Sequence, residues 1–213
     1  MRAWTQPDAA ASDGYLLLAD ISGYTAFMTS VEEAHDVDFS GGIPAGYAVL
    51  GVLLDAVVEG VEPAFAVDKL EGDAVFAIAP AETLDGRGGA VLTQLRAVHR
   101  AFRARRADAR QAQDHICTAC PVVANLDLKM ILHRGRVVRQ TVGSRSERLG
   151  PAVNVAHRLL KNTIGSRIGY RPYLFLTDAA AAGLGLADVG LEHHEEYPDI
   201  GPIQGRIVDL DTA

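Results

Sequence analysis

The stretch VDKLEGDAVFAIAP, Val67 to Pro80, sets opposite charges on either side of a tight turn between two apolar runs. Lys69 precedes the Glu71-Gly72 pair and Asp73 follows it. A second carboxylate, Asp20, closes the apolar run YLLLAD, Tyr15 to Asp20. If that run and the hairpin carrying Asp73 are neighbours in one sheet, the two carboxylates meet. Carboxylates brought together repel unless a cation joins them. Two divalent ions about 4 Å apart suit such a pair and serve an in-line displacement at phosphorus. Hard oxygen ligands point to magnesium or manganese rather than zinc. The competing reading is a solvated hairpin tip and a strand-end turn, where aspartates are common.

The elements that must position these residues are legible in outline. Tyr15–Asp20 is short, apolar on both faces and followed by turn formers, as a buried strand is. From Ala45 the spacing of Val49, Leu50, Leu53, Val57 and Val61 predicts a helix, ended by Pro63. AFAVDKL and DAVFAIA predict two strands joined at Glu71-Gly72. Val91, Leu92, Leu95, Val98 and Phe102 predict a helix over GGAVLTQLRAVHRAF, with RARRADARQAQDH as its charged continuation or a loop. LDLKMILH and RVVRQTVG alternate as a second hairpin around Arg134-Gly135. PAVNVAHRLLKN is a short helix opening on proline, PYLFLT a strand, and DAAAAGLG a short helix with Asp178 at its cap. LEHHEEY and GRIVDL make a final strand pair. The expected class is α+β: a ferredoxin-like β-α-β-β-α-β core with additional C-terminal strands. Residues 1–14 form a polar lead and 15–213 a single domain.

Bulk properties exclude several function classes. The chain has 213 residues, enough for one sizeable domain, and 48% of them are apolar. Twenty basic against 27 acidic residues give −7, which argues against nucleic-acid or anionic-membrane partners. The N-terminus lacks the apolar segment of a signal peptide. YAVLGVLLDAVVEGV, interrupted by Asp55 and Glu59, is too short to span a bilayer. The expected location is the cytoplasm. Two cysteines, Cys117 and Cys120, make no disulfide framework.

Four segments, LADISGYTAFM, KLEGDAVFA, HRGRVV and LGPAVNVAHRL, together resemble the signature segments of class III nucleotidyl (adenylyl/guanylyl) cyclase catalytic domains, in the family's order, over roughly Tyr15 to Lys161. The chain most resembles an uncharacterised bacterial branch. The resemblance implies that Asp20 and Asp73 hold two Mg²⁺ or Mn²⁺ ions per site, with the backbone carbonyl of Ile21 completing the shell. It implies that Gly23, Tyr24 and Thr25 form the turn that holds the triphosphate, in keeping with N–H groups at a helix start binding anions, and that Arg136 contacts phosphate. Lys69 matches the residue that donates to the base. Glu147, seven before Asn154, stands where adenylyl cyclases usually have aspartate. A lysine and a carboxylate complement adenine's N1 acceptor and N6 donor. Asn154 and Arg158 match the pair that orients the ribose and stabilises charge at the α-phosphate. Four residues apart on a helix, they point the same way. Alone, NVAHRLLK would read as an exposed helix face.

The implied activity is conversion of ATP to 3′,5′-cyclic AMP and pyrophosphate, in a homodimer whose sites lie at the interface. The alternatives are a guanylyl or pyrimidine cyclase on the same fold, a catalytically weak nucleotide-binding or sensing module, and a protein-interaction module. The family's C-terminal strands often supply a lysine to the terminal phosphate, and YPDIGPIQGRIVDL has none. HICTACP offers C-x-x-C and His115 but no second pair to complete a zinc site, so two reduced thiols are expected. In LEHHEEY, adjacent side chains on a strand face opposite ways, which predicts a solvated run rather than a metal site. Arg103, Arg105, Arg106 and Arg110 are expected to be a solvated helix end.

Overall fold

A computed structural model describes residues 9–35, 42–111, 120–169 and 171–211. Its chain order is β1 (Ala9–Ser22), α1 (Tyr24–His35), α2 (Ala45–Val61), β2 (Ala66–Glu71), β3 (Ala74–Pro80), α3 (Ala81–Leu84), α4 (Gly88–Gln111), a 3₁₀ turn (Cys120–Asn125), β4 (Asp127–Val142), β5 (Arg145–Leu149), α5 (Pro151–Leu159), α6 (Ile164–Ile168), β6 (Tyr173–Thr177), α7 (Asp178–Leu184), β7 (Leu191–Tyr197) and β8 (Gly201–Asp209). One sheet runs β2-β3-β1-β4-β6-β8-β7, with β5 paired to the far end of β4. Neighbours are antiparallel except β4 and β6. This is the expected α+β class, with the ferredoxin-like strands β2-β3-β1-β4 extended by β6, β8 and β7.

The sheet is covered unequally. The apolar stripes of α2 and α4 pack with Tyr15, Leu17 and Ala19 on one face. On the other, Leu16, Leu18, Phe76 and Ile131 meet α5 through Ala152, Val153, Ala156 and Leu159. A central strand covered on both faces must be apolar on both, which is why YLLLAD shows no alternation. Asp20 continues the even-numbered positions of β1 and so faces the α5 side.

Several expectations are corrected. Arg134-Gly135 is no turn: β4 runs unbroken through it and the hairpin falls at Gly143, with φ +64°. Gly135 is small for a packing reason. A Cβ there would lie 2.7 Å from the Cβ of Ala152, so the glycine lets α5 begin directly over β4. Gly135→Ala is therefore expected to push α5 off the sheet and to cost about 1–3 kcal/mol, read as a lower denaturation midpoint. β1 begins at Ala9, inside the expected lead. Of the two readings of the charged run after Phe102 the structure takes the helical one, continuing α4 to Gln111. There Arg103 pairs with Asp211 and the half-buried Arg106 with Asp127, so those two are tethers rather than free charges. The cap of α7 is Thr177, whose hydroxyl accepts from the Ala180 N–H, with Asp178 in the first turn.

LEHHEEY is likewise only half solvated. His193 and Glu195, two apart, share the inward face of β7 and are buried. His193 Nε2 lies 2.7 Å from Glu195, which accepts from the N–H and hydroxyl of Thr163 ahead of α6. Cys117 and His115 lie outside the described residues.

His133, on β4, is largely enclosed with Nδ1 3.1 Å from the Thr177 hydroxyl, and burial pulls it down from 6.5 to about 4. Unfolded, it takes up a proton below pH 6.5; folded, it resists until about pH 4. Stability therefore falls as pH drops through that window, by at most about 3 kcal/mol from this residue. In His133→Gln the midpoint should change less between pH 7 and pH 4.5.

Candidate functional site

The two aspartates meet at one end of the sheet. Gly72, with φ +67°, turns the chain between β2 and β3. The carbonyl of Asp73 accepts from the Ile21 N–H at 3.2 Å, which fastens the hairpin tip to the end of β1. Asp20 pairs in register with Ala74, the residue after Asp73. Burial, then the charge of Asp20, raises the Asp73 carboxyl above its ordinary range, and Lys129 opposes this. A cation between the carboxylates would remove that repulsion. Among the described residues no cluster of three or more His, Cys, Asp or Glu side chains stands ready for a metal. Two carboxylates beside the Ile21 backbone nevertheless fit a hard ion that completes its shell with carbonyl and substrate oxygens.

Lys129 is the residue that sequence reasoning missed. It pairs with Asp20 across β1 and β4, sets Nζ 2.9 Å from Asp20 Oδ2, and donates to the Leu160 carbonyl at 3.2 Å. It interrupts the apolar run Leu128–Leu132 of β4, and the pairing of β4 with β1 would have located it. Arg136 lies seven residues further along β4, beside Asp13 at 3.4 Å, with three quarters of its side chain exposed. At about 3.3 Å per residue it stands on the order of 20 Å from Lys129. The cation that the structure sets beside Asp20 is thus Lys129, and Arg136 is not brought to the aspartates of its own chain. The turn after β1 is as expected. Gly23 takes φ +86° with the Asn125 carbonyl 3.0 Å from where a Cβ would stand, and Tyr24 and Thr25 open α1. Ser22, Gly23, Lys129, Asn162, Arg171 and Tyr173 line a cleft of about 270 Å³ there.

A second group of residues gathers where β2 meets α5. The register of β2 slips between Val67, opposite Ala77, and Lys69, opposite Phe76. A bulge of this kind reverses the faces that follow. Without it Lys69 would enter the core beneath α2 and α4; with it Lys69 and Glu71 face α5. Asp68, the extra residue, forms an ion pair at 3.0 Å with Arg148 of β5, whose Nε–H is aimed too far off the oxygen for a hydrogen bond. Lys69 Nζ lies 2.8 Å from Glu71 Oε1 and 5.8 Å from the Phe76 ring. The Glu71 contact, chiefly, raises the Lys69 ammonium above its ordinary value, with a smaller contribution from the charge of Glu147. Burial alone would raise the Glu71 carboxyl, but Lys69 and His157 hold it below the usual range.

Asn154 and Arg158 sit on the outward side of α5, as their spacing predicts. Arg158 is held by Asp199, between β7 and β8, at 2.9 and 2.5 Å. The Asp199 carboxyl is lowered by that contact. Asn154, His157, Arg158, Lys161, Asp199 and Ile200 line an open cleft. Among the described residues no hydrogen bond or ion pair joins Asn154 or Arg158 to Asp20 or Asp73. No helix among the described residues is long and apolar enough to cross a membrane.

The fold matches solved class III cyclase domains. The adenylyl cyclase CyaB from P. aeruginosa aligns with TM-score 0.65 and 15% identity over 95% of this chain and 96% of that one. The guanylyl cyclase Cya2 aligns with TM-score 0.64 and 16% identity over 96% and 93%. A bacterial light-regulated adenylyl cyclase aligns with TM-score 0.62 and 16% identity over 95% of this chain, which spans about half, 53%, of that protein. In sequence, the chain is 30% identical over 165 residues to the uncharacterized protein Rv2561/Rv2562 of Mycobacterium tuberculosis, covering 76% of this chain and 73% of the relative. Residues 50–168, more than half of the chain, match the family described as "Protein of unknown function (DUF2652)". The chain carries a class III cyclase fold and belongs to the DUF2652 family.

Proposed function

We propose that this protein is a class III nucleotidyl cyclase that converts ATP to 3′,5′-cyclic AMP and pyrophosphate. The observation that carries the reading is the meeting of Asp20 and Asp73 at one sheet end, fastened by the Ile21–Asp73 hydrogen bond. Asp20, Asp73 and the Ile21 carbonyl would hold Mg²⁺ or Mn²⁺, which when bound activates the ribose 3′-hydroxyl and offsets charge at the α-phosphate. Lys129 and the N–H groups after Gly23 face the triphosphate, supplying fixed positive charge near its oxygens. Lys69 donates to the base. Arg158 stabilises charge developing on the α-phosphate, and Asn154 orients the ribose, so catalysis is positioning and charge compensation.

Arg158 and Asn154 lie on the exposed side of α5, unbonded to the aspartates of their own chain among the described residues. The complete site therefore forms between two copies, each giving one half to each of two sites. The contact of Glu71 with His157 of α5 keeps the base-facing and ribose-facing residues of one half together.

The experiment is to incubate the pure protein with Mn²⁺ and each nucleoside triphosphate in turn and identify the products. Cyclic AMP with stoichiometric pyrophosphate is expected from ATP. Cyclic GMP or a cyclic pyrimidine nucleotide would move the assignment to another base. The Arg158–Asp199 pair supports a second reading, a nucleotide sensor whose arginine is occupied; tight binding without pyrophosphate release would favour it.

A further inference from the structure

We propose that Glu71, rather than Glu147, is the carboxylate that reads the base beside Lys69, and that His157 is the positioning residue that aims it. The inference rests on the nucleotidyl cyclase reading and names the group that recognises the base's amino substituent.

Lys69 and Glu71 are two apart on β2 and share the α5-facing side, with Nζ and Oε1 separated by 2.8 Å. A donor and an acceptor about 3 Å apart match the edge of a 6-aminopurine, whose ring N1 accepts and whose neighbouring amino group donates. The ammonium has three protons and each carboxylate oxygen two lone pairs, so both groups can engage a base while keeping their mutual contact. Glu147 acts on Lys69 only through its charge, without an ion pair to it among the described residues.

The carboxylate is also held. Its other oxygen, Oε2, lies 2.8 Å from His157 Nε2. His157 Nδ1 is in turn 2.8 Å from the Val153 carbonyl one helical turn back. The imidazole tilts against the buried Phe76 ring with centroids 5.2 Å apart. One Phe76 ring therefore supports both the histidine that grips Glu71 and, at 5.8 Å, the ammonium beside it. An acceptor fixed at both ends loses little freedom on binding, which is what a recognition group requires. The bulge at Asp68 puts both charges on this side, so the arrangement depends on a local backbone feature that the repeat of the strand does not supply.

The test compares ATP with purine riboside triphosphate, which lacks the 6-amino group, by calorimetric titration of the full chain with Mn²⁺. Both ligands carry the same ribose and triphosphate, so a general loosening of the site leaves the ratio of their affinities unchanged. Wild type should prefer ATP by about tenfold. Glu71→Ala should bring the preference to about twofold or less, and Glu147→Ala should keep it. Glu71→Met, of similar length and without a carboxylate, serves in place of the alanine variant should that fail to fold. His157→Gln should shrink the preference partway.

Retention of the full preference in the Glu71 variants, or its loss in Glu147→Ala, would overturn the proposal. Equal affinity of wild type for both ligands would overturn it too, while leaving the nucleotide reading standing. Binding of neither triphosphate would remove that reading and this inference together.

Discussion

Asp20→Ala and Asn154→Ala should each lose turnover by about 10³-fold or more, and an equal mixture of the two, allowed to exchange subunits, should recover about a quarter of wild-type activity. The fraction follows from counting. Half of the dimers formed at random are mixed, and each mixed dimer has one site carrying both lesions and one carrying neither. Neither change threatens the fold. Asn154 is on the exposed side of α5. At Asp20 the substitution removes a carboxylate whose charge already burdens Asp73, and Lys129 keeps its bond to Leu160. Activity is measured as pyrophosphate release, with exchange followed by distinguishable tags. Full exchange without recovery would mean that one chain holds a whole site.

Arg158→Ala should lower kcat by about 10²–10³-fold with little change in KM, because a positioned guanidinium acts on charge present mainly in the transition state. The side chain is nearly half exposed, and α5 is anchored through Ala152, Val153, Ala156 and Leu159. Thermal unfolding should therefore stay within about 0.5 kcal/mol of wild type. Steady-state kinetics with a melting curve checks both halves of the expectation. A rise in KM with unchanged kcat would reassign the arginine to ground-state binding.

The aspartate pair was legible in the sequence because its positions are local matters. An apolar run ends at Asp20, a Glu71-Gly72 turn precedes Asp73, and the order of elements makes the two strands neighbours. What escaped depends on contacts across the chain. Arg134-Gly135 reads as a turn, and only the crossing of α5 at Ala152 reveals why a glycine stands there. A turn there would cut β4 in two, whereas the unbroken strand carries the register that sets Lys129 beside Asp20. Glu71 looked like half of a turn; its meeting with His157 joins residues far apart in the chain. The period of two in LEHHEEY was legible, but which face would be buried was not, because α6 and Thr163 supply the cover. The bulge at Asp68, which decides where Lys69 points, leaves no signature in composition.

The most direct test of the account is a crystal of the protein grown with Mn²⁺ and a non-hydrolysable ATP analogue, examined by anomalous scattering. Manganese is expected between the Asp20 and Asp73 carboxylates, touching phosphate oxygens of a nucleotide whose base reaches Lys69 of the partner subunit. Bound nucleotide with no manganese at those aspartates, or with the metal held elsewhere, would contradict it.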